Sequence, residues 1–304
     1  MAKGYYDFGE FLKKHFGYKV QKIAVNAGFT CPNRDGSKGV GGCTYCNNQT
    51  FNPEYCSDNL SVTEQLERGK GFFAKKYSEM KYLAYFQAYT NTYADVQYLK
   101  KLYTEALAVD GVVGIIIGTR PDCMSQELLE YLQELSKRVF VLVEYGVESS
   151  NNDTLRIINR GHTWEDTVDA IHRTVSHNIM CGVHIILGLP NEGEVQIIET
   201  ARKLSQLPIV TAKLHQLQLI KGTKMAAQVA NGELEVAQWS AAEYIDICME
   251  FIRNLSPTIA IERFVSQSPE ELLISPRWGL KNYQFSNLLN NRIAALDIIQ
   301  GSAL

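Results

Sequence analysis

The chain has 304 residues, 45% of them hydrophobic and 21% charged, enough to bury a large core as one barrel-type domain with an appendage or as two ordinary domains. A net charge of -3 and a pI of about 6.1 give no global pull towards nucleic acid or membranes, although they leave room for a local basic patch. The N-terminus lacks the uninterrupted apolar core of a signal peptide, no apolar run approaches the roughly 18 residues of a membrane span, and seven cysteines with three in one cluster argue against a secreted disulfide framework. A cytoplasmic protein with reduced thiols and no membrane association is therefore expected.

Residues 1–19 mix Lys3, Lys13, Lys14, His15 and Lys19 with Tyr5, Tyr6, Phe8, Phe11, Phe16 and Tyr18. Either this is an amphipathic helix packing its aromatics on the core, or it is a basic, aromatic edge that touches RNA. A short strand is predicted at 20–26, and the most specific stretch of the chain follows directly, CPNRDGSKGVGGCTYC from Cys31 to Cys46. It places Cys31, Cys43 and Cys46 in a loop with Gly36, Gly39, Gly41 and Gly42 between them. Glycine lets a backbone fold around a metal, and this thiolate spacing suits a zinc ion or an iron-sulfur cluster. A structural zinc or an electron-transfer cluster normally takes four protein ligands, so three leave one coordination position open to something that is not protein.

Beyond the loop the chain alternates. Apolar strand-like runs are predicted at 82–88, 112–118, 139–147, 181–189, 211–220 and 258–261, with helical patterns at about 62–80, 94–109, 125–137, 163–177, 193–206 and 240–254. Ser61 ahead of Glu64 and Ser125 ahead of Leu128 supply helix starts. Such alternation gives a parallel sheet, and strands this apolar mean that both faces are covered or that the sheet curls into a barrel. Six or seven units are too few for a closed eight-fold barrel but suit a partial one, with functional groups at the C-terminal ends of the strands. Polar residues gather there: Gln87 to Thr92, Thr119 to Asp122, Glu144 to Ser149, Glu192, and Lys213, His215 and Gln218. The last 48 residues, from 257, break the rhythm and read as a loop and two helices that close the open side of the barrel or cover its mouth. The expected division is thus an N-terminal helical extension (1–19), a barrel core (20–256) and a C-terminal extension packed on it (257–304).

Cys-x11-Cys-x2-Cys with Tyr45 inside the last pair, after the first strand of a partial βα barrel, resembles the radical S-adenosylmethionine (SAM) enzymes, in which Cys-x3-Cys-x2-Cys is the commoner spacing. It is most similar to the branch related to the catalytic subunit of Elongator and to the oxygen-independent coproporphyrinogen oxidases. The segments FTCPNRDG, GGCTYCNN, YFQAYTNTYA, IGTRPDC, NRGHT and LGLPNE resemble a family of bacterial radical SAM proteins of this length. The resemblance implies a partial (β/α)6 TIM-type barrel with short helical N- and C-terminal extensions. It also implies that Cys31, Cys43 and Cys46 hold three irons of a 4Fe-4S cluster whose fourth iron takes SAM. One electron, from a flavodoxin- or ferredoxin-type donor, then cleaves SAM to methionine and a 5'-deoxyadenosyl radical that abstracts hydrogen from substrate.

Carried over residue by residue, the resemblance puts Tyr45 near the adenine and Ala88, Tyr89 and Thr90 at the cofactor segment, where Tyr89 replaces a glycine. It sets Glu148 facing the cofactor with Arg160 behind it, His184 near the ribose, and Ile220 and Gly222 beside the adenine. Read as plain residues, Glu148 and Arg160 also suit an ordinary ion pair, His184 a satisfied core histidine, and Lys213 and His215 either a substrate contact or a solvated strand end. Arg120 suits either a bidentate anion clamp or a surface salt bridge. Cys56, Cys123, Cys181 and Cys248 read as buried structural thiols, with Cys56 near enough in sequence to approach the cluster. The resemblance implies an enzyme acting on tRNA, at the C5 side chain of a wobble uridine, through the family's association with maturation of carboxymethylaminomethyl-uridine. Radical chemistry on a small metabolite or tetrapyrrole, or a non-catalytic iron-sulfur or zinc protein, are the alternatives.

Overall fold

A computed structural model describes residues 3–47, 50, 53, 55–74 and 79–304. Met1 and Ala2 of the N-terminal extension, Asn48 of the GGCTYCNN segment and residues 75–78 of the helix expected at 62–80 lie outside the described residues.

Seven strands form one parallel sheet that curls into a partial barrel. In chain order they are β1 (Val20–Val25), β2 (Lys81–Phe86), β3 (Val112–Thr119), β4 (Phe140–Glu148), β5 (Met180–Leu187), β6 (Thr211–Gln216) and, after the short β7 (Leu219–Ile220), β8 (Ala260–Ile261). They are hydrogen-bonded in the order β1-β2-β3-β4-β5-β6-β8. The run expected as one strand at 211–220 is thus two, because β7 leaves the sheet to pair antiparallel with β9 (Leu273–Ser275).

Side chains sort by strand alternation. Tyr82, Ala84 and Phe86 of β2, Ile115 and Ile117 of β3, and Val141, Val143 and Tyr145 of β4 belong to the larger apolar core on the helical side of the sheet. The crossover helices close over that core: α2 (Val62–Ala74), α3 (Val96–Ala108), α4 (Gln126–Ser136), α6 (Trp164–Ser176), α7 (Glu194–Ser205) and α9 (Ala241–Arg253). Their starts are chemically defined. Ser61 and Glu64 exchange hydrogen bonds, Ser125 Oγ accepts from Leu128 N, and Thr163 with Asp166 and Ser240 with Glu243 form capping boxes. Two further helices, α5 (Asn152–Ile157) and α8 (Lys224–Ala230), are only 6 and 7 residues long, too short for a hydrophobic period to announce them.

The inward-facing residues Leu83, Tyr85, Ile116, Leu142 and Ala260 form a second cluster with Phe8 and Phe11 of α1 (Phe8–His15). Asp7 caps α1 by accepting from Glu10 N at 2.8 Å, and Phe11 and Phe16 set their rings against Phe140, the first residue of β4. The helix therefore stoppers the N-terminal end of the barrel. Of the two readings of residues 1–19, the structure shows the packed helix, at the end of the strands opposite the polar rim. At the C-terminus the expected pair of helices is one, α10 (Asn282–Ala295), followed by turns at 296–303. Phe285 and Leu289 of α10 are buried in the main core, and Trp278 and Phe285 stack beside Tyr244 of α9, so this segment seals the flank of the sheet.

Truncating the stopper tests this arrangement. Phe11→Ala should lower stability by about 3–5 kcal/mol, the range for emptying a buried aromatic site, in urea denaturation followed by circular dichroism. A loss below about 1 kcal/mol would mean that α1 is an ornament on the barrel.

Candidate active site

At the C-terminal ends of the strands lies a cavity of about 910 Å³ including its open mouth. Its wall combines Cys31, Cys43, Tyr45 and Cys46 from the loop after β1 with Tyr89 and Thr90 after β2 and Arg120 after β3. Glu148, at the end of β4, and Arg160 stand across from the loop, and Glu144, His184 and His215 form the floor.

The cysteine loop is fixed from both sides. Gly36, Gly41 and Gly42 all have positive φ, of 93°, 80° and 79°, which is the freedom that the sequence reserves for glycine. Gly42 N donates to Asn33 O at 2.8 Å, Thr44 N to Ile158 O at 3.0 Å, and Asn159 Nδ2 to Gly42 O at 2.9 Å, tying the loop to the segment after α5. On the other flank Met225 N, in α8, donates to Thr44 O at 2.8 Å. The two helices too short to foresee are thus the ones that hold the loop.

Two polar groups serve one thiol. Arg160 Nη1 lies 3.5 Å and Asn33 Nδ2 3.7 Å from Cys43 Sγ. Arg160 also donates to the Gly146 carbonyl and to His162 Nε2 and lies 3.5 Å from Glu148 Oε1. Burial, followed by the Arg160 charge, holds His162 neutral, down at about 3. Burial raises the Glu148 carboxyl against the opposing pull of Arg160 and Arg120. Gly146 leaves the space for this cluster, since a Cβ there would meet Arg160 Nη2 and Glu148 Oε1 at 2.7 Å.

Two wall residues carry unusual backbones. Tyr89 has φ 61° and Glu148 φ 70°, and neither is glycine. Each such conformation costs on the order of 1–2 kcal/mol and persists where its surroundings over-determine it. For Glu148 that setting is a register shift between β4 and β5 at Gly146/Glu148.

The floor is ionic. Glu144 accepts from Lys22 at 3.1 Å, Lys213 at 2.8 Å and His184 Nε2 at 2.8 Å, and Glu262 takes the same two lysines at 2.5 and 3.0 Å. Lys213 also donates to Tyr85 Oη at 3.0 Å. Burial alone would raise the Glu144 carboxyl, but Lys213, Lys22 and His184 hold it well below the usual carboxylate range. Burial and then Lys213 bring His184 down to about 4. Lys213 is therefore an ion-paired core residue rather than a solvated strand end.

Of the residues expected at the site, Cys31, Cys43, Cys46, Tyr45, Tyr89, Thr90, Glu148, Arg160 and His184 line the cavity. Ala88 is buried just outside the wall, Ile220 is buried in β7, and Gly222 lies in a surface groove with Lys221 and Lys224. Arg120 is neither a surface residue nor a free clamp. Only 2% exposed, it forks onto Asp122 at 2.9 and 3.0 Å and donates to Arg160 O at 2.7 Å. Cys56 is committed to Gln65 Oε1 at 3.2 Å, and burial pushes its thiol up to about 11. Burial likewise raises Cys123, Cys181 and Cys248. Asn33, Asn159 and His162 escaped sequence reasoning. They sit within the quoted FTCPNRDG and NRGHT segments, which was the available signal.

The donor set fits a cluster bound with one site open. Three thiols that form no disulfide face one cavity, and N–H donors aim at Cys43, as suits thiolates that carry charge.

A partial parallel barrel with a thiol-rimmed, polar-floored cavity at its C-terminal face defines a cofactor-using enzyme of the TIM-barrel-like kind. The Radical SAM superfamily model matches residues 28–204 and the Radical_SAM C-terminal domain model residues 209–295. The uncharacterized protein YtqA of Bacillus subtilis (strain 168) is 35% identical over 98% of this chain and 92% of its own length. Elongator complex protein 3 of Bos taurus is 25% identical over 68% of this chain, which spans only 37% of that protein. The fold matches an archaeal Methanocaldococcus infernus Elp3 lacking its N-terminus, with a TM-score of 0.71 at 16% identity, over 93% of this chain and 64% of that one. The chain belongs to the radical SAM superfamily, whose enzymes use a 4Fe-4S cluster and SAM. No helix among the described residues is long and apolar enough to cross a membrane.

The ionic floor generates a pH prediction. His184 titrates at about 4 folded against about 6.5 unfolded, so between these values the unfolded chain binds the extra proton and stability falls as pH drops. Glu144, lowered in the fold, adds stability above its unfolded value of about 4.5 that is lost as pH falls further. His184→Asn should flatten the dependence between pH 7 and 4.5 by on the order of 3 kcal/mol, from about 1.36 kcal/mol per pH unit. His162, also held neutral, leaves a residual slope of the same sign. Urea midpoints across that range check it, and an unchanged slope would contradict the assignment.

Proposed function

We propose that this radical SAM enzyme modifies tRNA, at the C5 side chain of a wobble uridine. The observation that carries the reading is the open mouth: among the described residues, no cavity-lining residue comes after His215. In the C-terminal segment α10 packs on α9 at the flank, and β9, paired with β7 beside Gly41 of the cysteine loop, does not line the cavity that a small-metabolite enzyme would favour sealing. The cavity opens to solvent at the C-terminal rim of the sheet. That suits a cofactor and one extruded nucleoside whose parent RNA stays outside. The sequence similarity to Elongator complex protein 3 supports the same class by analogy.

Basic residues give this reading little help. The N-terminal cations lie at the opposite end of the barrel, Arg277 donates to the Leu273 carbonyl at 2.6 Å, and Arg292 faces Asp246 at 3.6 Å. Recognition of the RNA would rest on the rim instead.

In this reading residues 20–256 form the catalytic core and Cys31, Cys43 and Cys46 hold the cluster. When bound, cluster and SAM supply the 5'-deoxyadenosyl radical on accepting one electron from a flavodoxin- or ferredoxin-type partner. Arg160 and Asn33 offset the charge on Cys43 through their N–H groups. Glu148, positioned by Arg160, would face the SAM, and Tyr45 and the backbone at Tyr89 and Thr90 would bound its pocket. His184, tied to Glu144, presents its ring from below. These walls would fix the reacting partners relative to each other.

Nucleosides of total tRNA from cells lacking the gene, compared by mass spectrometry with wild type, should show the loss of one modified wobble uridine and accumulation of its precursor. An unchanged profile would contradict the tRNA reading. Cys43→Ala should abolish 5'-deoxyadenosine formation by the reconstituted protein while shifting Tm by only a few degrees, because the thiol lies in the rim loop. Product at the wild-type rate would remove Cys43 from the ligand set.

A further inference from the structure

The spacer between Cys31 and Cys43 folds round one side chain. Lys38 N and Gly39 N both donate to Pro32 O, at 2.9 and 3.2 Å, Gly36 N donates to Gly39 O at 3.1 Å, and Gly42 N donates to Asn33 O at 2.8 Å. The spacer thus curls back over Asn33, which is only 1% exposed. The surroundings orient its amide. One edge faces two acceptors, the Asn159 carbonyl, to which Nδ2 donates, and Cys43 Sγ, 3.7 Å from Nδ2. Turned over, the amide would set its oxygen against a carbonyl and a thiolate, so the nitrogen belongs on this edge, with one hydrogen for each acceptor. The oxygen edge lies against Gly39 and Gly161, where a Cβ would stand 2.4 and 3.0 Å from Oδ1. Both glycines leave room for this amide.

The donors near the thiols differ in kind. Arg160 reaches Cys43 but also pairs with Glu148, and Arg34, which donates to the Cys46 carbonyl at 3.0 Å, lies beside the Cys46 thiol. Asn33 is uncharged, and it comes from the spacer itself.

We propose that the long spacer serves to place Asn33 on the Cys43 sulfur, and that this N–H group raises the reduction potential of the bound cluster. Reduction adds negative charge to a cluster and its thiolates, so a hydrogen bond to one sulfur is stronger in the reduced state and favours it. The commoner three-residue spacing between the first two cysteines could not make this return, since the fold over Asn33 uses residues 32–42. Being neutral, the amide acts at any pH and whatever Arg160 and Glu148 do when SAM arrives. Asn33 is therefore a positioning residue that acts through Cys43 and touches no substrate. Its consequence is a cluster that takes its electron from a weaker donor than the same cluster would without it.

Anaerobic redox titration of the reconstituted cluster, without SAM and read by the electron paramagnetic resonance of the reduced state, tests this. Asn33→Leu keeps about the same side-chain size, excluding water, but cannot donate. It should lower the midpoint by about 59 mV, a tenfold change in the one-electron equilibrium. A merely structural role would lower Tm or iron content and leave the midpoint of the loaded protein in place, so a wild-type midpoint in Asn33→Leu, or a raised one, overturns the proposal. Should leucine overfill the space beside Gly39 and Gly161 and prevent loading, Asn33→Ala decides by the same criterion. Loss of the cluster from both variants would make Asn33 a purely structural residue and overturn the proposal as well.

Discussion

The structure depends on how Glu144 is held. A partial barrel of seven parallel strands has a lumen that must be filled below and left empty above, and the change occurs at one layer. Below it Phe8, Phe11, Leu83, Ile116 and Leu142 pack as apolar core. At it Lys22, Lys213, His184 and Glu262 surround a carboxylate that is only 2% exposed. Burying such charges costs several kcal/mol per ion, and full pairing of each oxygen is what makes the layer tolerable. In exchange it gives the cavity a rigid polar floor that an apolar layer of the same volume could not provide. Removal of one partner would strand another charge, so the layer acts as a unit.

Above that floor the geometry comes from residues that cannot all relax together. Gly146 has no side chain, which lets Arg160 and Glu148 occupy the space beside it. Arg160 in turn reaches Cys43, while its own carbonyl is held by Arg120 and, through that, by Asp122. A change at Asp122 is therefore felt at the cysteine loop through three contacts. The positive φ of Tyr89 and Glu148 fits the same picture, with strain stored in the wall facing the site and borne by the sheet below.

Much of this was legible in the sequence. Apolar strands alternating with capped helices specify a parallel partial barrel, and the rule that function lies at the strands' C-terminal ends places the cysteine loop, Glu148 and His184 around one cavity. Less legible were features that depend on three-dimensional closure. Helices α5 and α8 carry too few turns for a periodic signal, yet they clamp the loop. Lys213 and Glu262 lie 49 positions apart in sequence and meet only when β8 joins β6. Arg120 reads as an anion clamp or a surface salt bridge because its buried partner, two residues on, is engaged only through the turn at 121–123. The N-terminal aromatics favoured two readings because an amphipathic helix has the same pattern whether it covers a core or a ligand, and contact with Phe140 decides between them.

The central claim is that the three thiols at the rim hold a cluster with one site left for SAM. Anaerobic reconstitution of the wild-type chain with iron and sulfide, followed by metal analysis and reduction in the presence of SAM, tests it most directly. The account predicts about four irons per chain and release of 5'-deoxyadenosine together with methionine. Stoichiometric zinc with no bound iron, or a fully loaded cluster that never yields 5'-deoxyadenosine, would contradict it.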